Sequence, residues 1–418
     1  MFAHPKMAYT YAGIDSHKHS HTIVFMDCFH DKLGEITISN LPSEFDDFFK
    51  KAQKYKIDGT SLAFGMEDVS AFGRLLAKFL ISKKQIVKHV DSSLVASERN
   101  AKNILNKTDS VDAECAGRVL INRFDKLQNA NVDDKFWILS GLVTRRNSLV
   151  KINNMIKNHL HSLLGDNYPS YKSFFSEIDG NSALAFYEAY PSPSTLDGVS
   201  LEEFTEIVKT LSKGLLKEAK AKLILEAVQN DGYTKCDYQE SRDFTIISIV
   251  KQLKSNKEQI KSIDNELKSF LTNFNHNLTQ IKGIDTLTEA KLIAEIGDIS
   301  RFKNAGSLAK YSGIAPVTHA SGMGAVDYAN ERGNRKLSEI FFRLAVASAL
   351  PVGKDRTLLN PIFHEYYNKK ISEGKTKKQA LKSVQRRLVN IIFRVMKDGS
   401  EYINPAPIKA EEKEKLSS

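Results

Sequence analysis

Short apolar strands alternate with amphipathic helices between Tyr9 and Phe124, and this alternation limits the possible folds more than any other feature of the sequence. Three apolar segments come first, "YAGI", "HTIVFM" and "GEITIS", and they predict a three-strand meander. A helix near Glu44 to Gln53, a strand "SLAFGM", a helix "SAFGRLLAKFLISK", a strand "QIVKHV" and a further helix follow. This order predicts a mixed α/β domain.

The polar segment "DSHKHS" joins the first two strands and carries Asp15, while the histidines alternate at His17, His19 and His21. In one continuous strand, the period of two would place the three imidazoles on one face, as a zinc site requires. The apolar flanks instead predict a hairpin whose tip carries the histidines, and such a cluster is more typical of solvated surface. Asp15 differs because it ends an apolar strand, so we expect its carboxylate at the edge of the sheet.

Composition narrows the class of protein. At 418 residues, of which 41% are hydrophobic, the chain is long enough for two or three domains with apolar cores. Its net charge of +10 indicates a polyanionic partner, most commonly nucleic acid, although a basic protein without such a partner has the same charge. The cysteines are too few and too far apart for a disulfide framework or a zinc knuckle, which indicates a reducing cytosol: Cys28, Cys115 and Cys236.

The sequence also lacks membrane and export signals. No apolar run approaches the ~20 residues that a membrane span requires. The N-terminus "MFAHPKMAYT" lacks the apolar core of a signal peptide. We therefore expect a protein of the cytoplasm with no membrane segment.

The middle of the chain carries helical patterns. An apolar stripe from Leu139 to Leu163 predicts one long helix between about residues 134 and 165, and residues 166–240 predict shorter helical pieces. A heptad pattern with one polar member, Asn256, follows at Ile246, Ile249, Leu253, Ile260, Ile263, Leu267 and Phe270. This pattern predicts a coiled-coil seam between subunits, in which the polar position sets the register and the oligomeric state. A long amphipathic helix packed within the chain would show the same pattern.

The C-terminal region combines a glycine hairpin with a basic helix. The segment "IKGIDTLTEAKLIAEIGD" resembles a helix-hairpin-helix, in which the turn at Gly283 would let backbone N–H groups approach a DNA phosphate. From Lys369 to Asp398 there are ten basic and two acidic residues, and one face of this stretch is apolar. Such a helix can bury its apolar face and present four basic side chains to phosphates, namely Lys382, Arg386, Arg387 and Arg394. The alternative is a basic face that is only solvated. The tail "IKAEEKEKLSS" is predicted to be disordered.

Three further acids lie where they can join Asp15. Glu67 follows the strand "SLAFGM", while Asp109 and Asp112 in "NKTDSVDAECAGRVL" start a helix and share one face of it. Thr108 or Asn106 is expected to cap that helix. Together, four carboxylates can hold two divalent cations against a phosphodiester, although an Asp in a first helical turn is ordinarily only favourable with the helix dipole.

These motifs resemble a known family. "GIDSHK", the Glu of "GMED" and "KTDSVDA" are similar to the Asp-Glu-Asp-Asp signature of DEDD transposases of insertion-sequence family 110, which includes related DNA invertases. "IKGIDTLTEAKLIAEIGDISRF", "LAKYSGIAP", "ASGMG" and "RGNRKL" resemble the C-terminal domain of that family. The resemblance implies an RNase H-like, RuvC-like domain in residues 1–130, a helical and coiled-coil region in 131–277, a C-terminal transposase domain in 278–400 and a disordered tail in 401–418.

The resemblance also implies the site residues. Asp15, Glu67, Asp109 and Asp112 would bind Mg²⁺ (or Mn²⁺), and Ser321 would be the nucleophile. His319, two residues before the serine, could act as a local base, although the family pattern does not require one there. Glycines beside the serine would let the backbone approach the scissile phosphate. The residues expected to contact nucleic acid are Lys107, Gly283, Gly322, Gly324, Arg332, Asn334, Arg335, Lys382, Arg386 and Arg387. The "VTHA" before the serine and a long segment 166–240 depart from the family pattern.

The expected function is a site-specific DNA recombinase of the transposase kind. The resemblance implies that it cuts and rejoins donor and target double-stranded DNA through a phosphoserine. A structured bridge RNA would guide it, and it would act as a dimer to tetramer in the prokaryotic cytosol or nucleoid. Two alternatives remain open: a two-metal nuclease in which water is the nucleophile, and a non-catalytic nucleic-acid-binding protein.

Overall fold

The computed structural model describes residues 4–69, 71–104, 106–215, 217–233, 237–321, 324–328, 330, 333–406 and 408–409. The chain divides into two compact units. One unit contains Met1–Ile138 and Gly297–Ser307, and the other contains Leu139–Ile296 and Leu308–Ser418. The proposed first domain therefore falls within the first unit, which also takes in residues 297–307 from the predicted C-terminal domain.

The first unit is built on a mixed five-stranded sheet of order β3-β2-β1-β4-β5. The strands are β1 (Tyr9–Ser16), β2 (Ser20–Met26), β3 (Lys32–Ser39), β4 (Ser61–Met66) and β5 (Ile86–His89). Strands β1, β2 and β3 form an antiparallel meander, as predicted, and β4 and β5 run parallel to β1. The mixed α/β character expected from the element order is thus confirmed for this unit.

Four helices among the described residues accompany the sheet, and the sequence predicted a helix in each of these four places. They are α1 (Pro42–Ala52), α2 (Arg74–Ser82), α3 (Ser92–Ala101) and α4 (Asp109–Arg123). One face of the sheet packs its apolar side chains with those of α1 and α2. The opposite face carries Tyr11, Val24 and Met26, which pack with Ala113 and Leu120 of α4. Strand β1 is therefore covered on both faces, which explains why it is apolar almost to its end.

Helix α4 approaches β1 so closely that glycine is required at the crossing. A Cβ atom on Gly13 would lie 2.0 Å from the carbonyl oxygen of Ala113 and 2.2 Å from the backbone nitrogen of Gly117. Both obstacles are backbone atoms, so no side-chain rotation relieves the clash. The pair Gly13 and Gly117 therefore sets the distance between the strand that carries Asp15 and the helix that carries Asp109 and Asp112.

We expect Gly13→Ala to lower the free energy of unfolding by about 3 kcal/mol or more, because α4 must move off the sheet to accept the methyl group. The matched control is Gly141→Ala, since a Cβ atom at Gly141 meets nothing within 4 Å in a helix. That control should raise stability by about 0.5–1 kcal/mol. Urea unfolding followed by circular dichroism measures both changes, and equal midpoints for the two variants would contradict the packing argument.

The second unit is almost entirely helical. It contains most of the long helix α5 (Asp134–Asn167), which is confirmed, and the predicted helical pieces α6 (Tyr171–Phe174), α7 (Asn181–Ala189), α8 (Leu201–Leu211) and α9 (Glu218–Asp231). The heptad pattern lies on α10 (Gln239–Phe270). Its first half, Ile246, Ile249 and Leu253, is buried in a core built from α5 to α9, which is the intramolecular alternative. In the second half, Ile260, Ile263 and Phe270 are half-buried, whereas Leu267 is buried.

The described residues from 286 to 398 form seven helices and strands besides short 3-10 turns and the short strand β8. They are α11 (Thr286–Ile296), α12 (Ala305–Tyr311), β6 (Val317–Ser321), β7 (Gly324–Tyr328), α13 (Arg335–Ala349), α14 (Pro361–Ser372) and α15 (Lys377–Asp398). Strands β8 (Thr357–Leu358) and β9 (Ile408–Lys409) pair with each other. The expectation of a wholly disordered tail is therefore wrong for Ile408 and Lys409. The rest of that tail, residues 410–418, lies outside the described residues.

The predicted helix-hairpin-helix needs correction on its first side. A single 3-10 turn, Leu278–Gln280, precedes Gly283, and only the second side is a full helix, α11. Gly283 adopts φ +94°, the left-handed conformation that glycine permits. Across the described residues, no helix combines the length and the apolar character needed to cross a membrane.

Candidate active site

Two of the predicted acids meet at one edge of the sheet because their strands are parallel neighbours. Ile14 of β1 pairs with Met66 of β4, and the next residues along the two strands are Asp15 and Glu67. The carboxyl ends of adjacent parallel strands lie side by side, so both carboxylates emerge at the same end of the sheet, beyond the last residues of β1 and β4. Asp15 is only 8% exposed, and Glu67 is half-buried.

Helix α4 brings the other two acids to this edge. Thr108 caps the helix, since its side-chain oxygen accepts a hydrogen bond of 3.2 Å from the backbone N–H of Val111. Asp109 and Asp112 are therefore in the first helical turn, where the helix dipole favours negative charge. Asp112 is 7% exposed, whereas the Asp109 side chain is largely open to solvent. The cap and the packing of α4 on β1 thus determine where the pair lies.

Three basic side chains contact these acids. Arg99 of α3 donates from Nη1 to Oδ1 of Asp112, and Lys107 Nζ lies 3.9 Å from Oδ2 of the same carboxylate. His17 Nε2 lies 3.0 Å from Oδ2 of Asp15 and 3.3 Å from Oδ1 of Asp109. Three of the four acids thus contact basic side chains, and the charges of Lys107 and Arg99 oppose the rise in the pKa of Glu67. Arg99 gave no sequence signal, because it is 13 residues from Asp112 on a different helix.

The three histidines do not form one group, and their predicted position on solvated surface is wrong for His21. The hairpin itself is present, with His17 and His19 exposed between β1 and β2. His21 instead belongs to β2 and is fully buried, with its ring 6.5 Å from that of Phe45. Strand β2 begins at Ser20, so alternation points His21 into the core. Burial lowers the pKa of His21, which keeps its ring neutral.

The cluster carries more negative charge than its surroundings neutralise. Burial raises the pKa of Asp15, the carboxylates of Asp109 and Asp112 raise it further, and His17 opposes them. Burial and the repulsion from Asp15 and Asp112 raise the pKa of Glu67 to about 7. A divalent cation would relieve this repulsion, and one oxygen each of Asp15 and Asp109, with a nitrogen of His17, lie within 4.8 Å of one another. The donor set therefore fits a divalent metal ion.

The raised pKa of Glu67 predicts a pH dependence of stability in metal-free protein. Its pKa is about 7 in the folded chain against a usual 4.5, so the folded state binds the extra proton between these values. The contribution of protonated Glu67 to the free energy of unfolding is fully present below pH 4.5 and is lost as the pH rises through about 7. In the presence of a chelator, we expect wild type to lose stability relative to Glu67→Gln across this window. Urea unfolding midpoints at several pH values measure the difference, and parallel curves would contradict the assignment.

The predicted nucleophile belongs to the second unit. Ser321 ends β6 and pairs with Gly324, the first residue of β7. His319 lies on the same strand, opposite Val326. Gly322 and Arg332, which were expected to contact nucleic acid, lie outside the described residues.

Asn334 has a structural role that the sequence did not suggest. Its side chain caps α13 by accepting from the backbone N–H of Leu337 at 2.9 Å, and it donates to Glu295 Oε2 at 2.9 Å. A Cβ atom on the nearby Gly333 would lie 2.3 Å from the backbone of Gly313, which explains why glycine occupies both loops. Arg335, the first residue of α13, is exposed.

The other predicted nucleic-acid contacts differ in exposure. On α15, Arg387 is exposed and its guanidinium carbon lies 3.7 Å from the ring centre of Tyr366, while Arg386 and Lys382 are half-buried. Burial lowers the pKa of Lys382, with a smaller effect of Lys378. At the Gly283 turn, the backbone N–H of Lys282 donates to Asn404 Oδ1 at 2.8 Å, so that group is already paired.

Two family models match two separate regions of the chain, one with the predicted acids and one with the predicted nucleophile. A family model of DEDD-type IS110 transposases matches residues 12–169, which include the four acids. A model of the transposase IS116/IS110/IS902 family matches residues 275–368, which include Ser321.

Individual relatives match between 73% and 95% of the chain. The 44.8 kDa protein of insertion element IS116 from Streptomyces clavuligerus is 24% identical over 402 residues, 95% of this chain and 96% of the relative. The 43.6 kDa protein of insertion element IS110 from Streptomyces coelicolor is 25% identical over 317 residues, 73% of this chain and 74% of the relative. A pilin gene-inverting protein from Moraxella lacunata is 22% identical over 399 residues, 95% of this chain and 98% of the relative.

Proposed function

The chain belongs to the IS110 family of transposases, and from this premise we propose that it is a site-specific recombinase that cuts and rejoins DNA through a phosphoserine. The observation that carries the proposal is that Asp15 and Asp109 lie close enough to share one ion, with Glu67 at the end of the parallel strand next to that of Asp15. The order β3-β2-β1-β4-β5, with β1 antiparallel to β2 and parallel to β4, supports an RNase H-like fold of the RuvC type for this unit.

The four acids would hold Mg²⁺ or Mn²⁺. When bound, such an ion stabilises the charge that develops on a phosphodiester and lowers the pKa of a coordinated hydroxyl group. Asp15 and Glu67 are positioned by adjacent strands, and Asp109 and Asp112 by the capped start of α4. The site therefore needs little rearrangement of backbone to take up a cation, since its ligands come from rigid elements. When Asp112 binds the ion, Arg99 would either break its hydrogen bond to Asp112 or share this carboxylate with the ion.

Ser321 would supply the nucleophile. Its Oγ attacks the phosphorus, a new P–O bond to the serine forms, and the bond from phosphorus to one deoxyribose oxygen breaks and leaves a free hydroxyl. The serine proton passes to a base or to the leaving oxygen. In the second step a hydroxyl of another strand attacks the phosphoserine and restores Ser321. The number of phosphoester bonds is unchanged, so joining needs no ATP.

The partners would be donor DNA, target DNA and a structured bridge RNA. The net charge of +10 supports a nucleic-acid partner. Exposed cations are available in both units, among them Lys107 beside the acids, Arg335 at the start of α13 and Arg387 on α15. Each phosphate contact contributes to a salt-dependent, sequence-independent affinity, so base pairing to the RNA would carry most of the sequence specificity.

We expect assembly into a dimer or tetramer to use the second half of α10. Ile260 and Ile263 are half-buried there, whereas Leu253 already belongs to the core of its own chain. Replacing both Ile260 and Ile263 by Glu should lower the molar mass measured by light scattering, because charges at heptad core positions are costly. Circular dichroism should show the helices retained, and an unchanged mass would contradict a seam at this segment.

The experiment that tests the proposed function is reconstitution with the copurifying RNA. We expect one structured RNA to copurify with the chain, and sequencing it should identify segments complementary to two DNA sites. The protein, that RNA and both DNAs should give joined DNA in Mg²⁺. Omitting the RNA, or adding a chelator, should abolish the product. Cleaved but unjoined DNA would indicate the nuclease alternative, and binding without cleavage in every condition would indicate the non-catalytic one.

A further inference from the structure

We propose that His17 is the third protein ligand of the ion held between Asp15 and Asp109, and that it gives this centre a preference for Mn²⁺ over Mg²⁺. The inference rests on the proposed function, in which these acids hold a divalent cation. It adds a nitrogen ligand to a set that would otherwise consist of carboxylate oxygens, and the nitrogen changes which metal the centre binds best.

The distances support coordination by His17. Its Nε2 atom lies 3.0 Å from Asp15 Oδ2 and 3.3 Å from Asp109 Oδ1. Ligands that occupy neighbouring corners of an octahedron, at ~2.1–2.2 Å from the ion, lie ~3.1 Å apart. All three ligand atoms fall within 4.8 Å of one another, so one ion can reach each of them.

The backbone of the hairpin holds His17 in this place. The N–H of His17 donates to the carbonyl oxygen of Ser20 at 2.9 Å, which closes the turn. Asn40 holds the turn from outside, because its side-chain amide donates to the carbonyl oxygens of Lys18 at 3.3 Å and Phe72 at 3.1 Å. The backbone N–H of Asn40 also donates to the carbonyl oxygen of His19 at 2.9 Å. The backbone that carries His17 is thus held by hydrogen bonds from Asn40 and within the turn.

Two of the three proposed ligand side chains are open to solvent. The side chain of His17 is 51% exposed and that of Asp109 is 57% exposed, whereas that of Asp15 is 11% exposed. Asp15 is therefore a buried ligand at the end of β1, whereas His17 and Asp109 are exposed ligands. The open side leaves room for water or a phosphate oxygen, as a catalytic rather than a structural centre requires.

The metal preference follows from ligand chemistry. Mg²⁺ favours oxygen ligands and keeps several waters, while imidazole nitrogen suits the divalent transition metals. Mn²⁺ accepts carboxylates and water as Mg²⁺ does, and as a first-row transition metal it also binds nitrogen ligands, although more weakly than the later metals of the series. One imidazole and two carboxylates should therefore bind Mn²⁺ more tightly than Mg²⁺, and removal of the imidazole should reduce that difference.

The test uses the full-length chain, stripped of metal with a chelator and then dialysed. Free Mn²⁺ is followed by electron paramagnetic resonance during titration, and Mg²⁺ affinity is measured by competition. We expect His17→Ala to weaken Mn²⁺ binding by about 10-fold or more, with a smaller change for Mg²⁺. His19→Ala, an exposed histidine of the same turn, is the matched control and should bind both ions as wild type does.

A spectroscopic signature separates coordination from a structural effect. Pulsed paramagnetic resonance should detect ¹⁴N coupling from a directly bound imidazole in wild type and His19→Ala, and its loss in His17→Ala. Bound Mn²⁺ without ¹⁴N coupling, or an equal loss of both metals in His17→Ala, would overturn the role of His17 and leave the proposed function standing. If wild type and Asp15→Asn alike bind neither ion, the role of His17 and the proposed function are both overturned.

Discussion

Ser321→Ala is expected to eliminate every joined DNA product while leaving DNA and RNA binding nearly intact. A phosphoserine keeps the energy of the broken phosphodiester in a covalent bond, whereas a water nucleophile releases it. Binding should persist because affinity comes mostly from Lys and Arg contacts to phosphates. Alanine removes only the hydroxyl, at the last residue of β6, so the strand pairing with β7 should remain.

The decisive measurement for Ser321 is the covalent protein-DNA adduct on a denaturing gel with end-labelled DNA. Wild type should form the adduct in Mg²⁺, and the alanine variant should form none. Ser262→Ala, an exposed serine on α10, is the control and should behave as wild type. Recombinant junctions from the Ser321 variant would refute the nucleophile assignment. Cleavage by wild type without an adduct would favour the nuclease alternative.

Neutral substitutions of the four acids should abolish recombination without unfolding the chain. Asp15→Asn or Glu67→Gln removes one ligand, and we expect a loss of about 10³-fold or more, since a metal ion contributes several kcal/mol of transition-state stabilisation. Stability of the metal-free protein should stay the same or rise, because burial and mutual repulsion already disfavour these charges. A catalytic loss accompanied by a gain in stability is the signature of a site whose ligands repel one another.

Asp58→Asn is the matched control for these acids, since Asp58 is an exposed aspartate in the loop before β4. Recombination rates and urea unfolding midpoints should be compared for the same preparations, with and without Mg²⁺. Metal should stabilise wild type and Asp58→Asn, and it should stabilise Glu67→Gln less. Retained recombination in both Asp15→Asn and Glu67→Gln would show that the cluster is not the catalytic centre.

The order and type of elements in the first unit followed from the sequence because they depend on local pattern. Apolar, β-branched runs predicted β1 to β5, and helical periodicity predicted α1 to α5. The meeting of Asp15 with Glu67 also follows from local information once two strands are known to be parallel neighbours. Of the four acids that the family resemblance indicated, Asp15 and Asp109 lie close enough to reach one ion together with His17, while Asp15 and Asp112 raise the pKa of Glu67.

Tertiary structure alone decided which neighbours cover each residue. His17 and His21 are four residues apart, yet one contacts two acids and the other is buried, because β2 begins between them at Ser20. Arg99 reaches Asp112 only through the packing of α3 with α4. The heptad pattern on α10 could not reveal whether its apolar side packs against another subunit or against the same chain. The hydrophobic effect is non-directional, so burial against either one is equally favourable for the same area. Periodicity specifies that a face must be covered, and the packing of distant segments specifies what covers it.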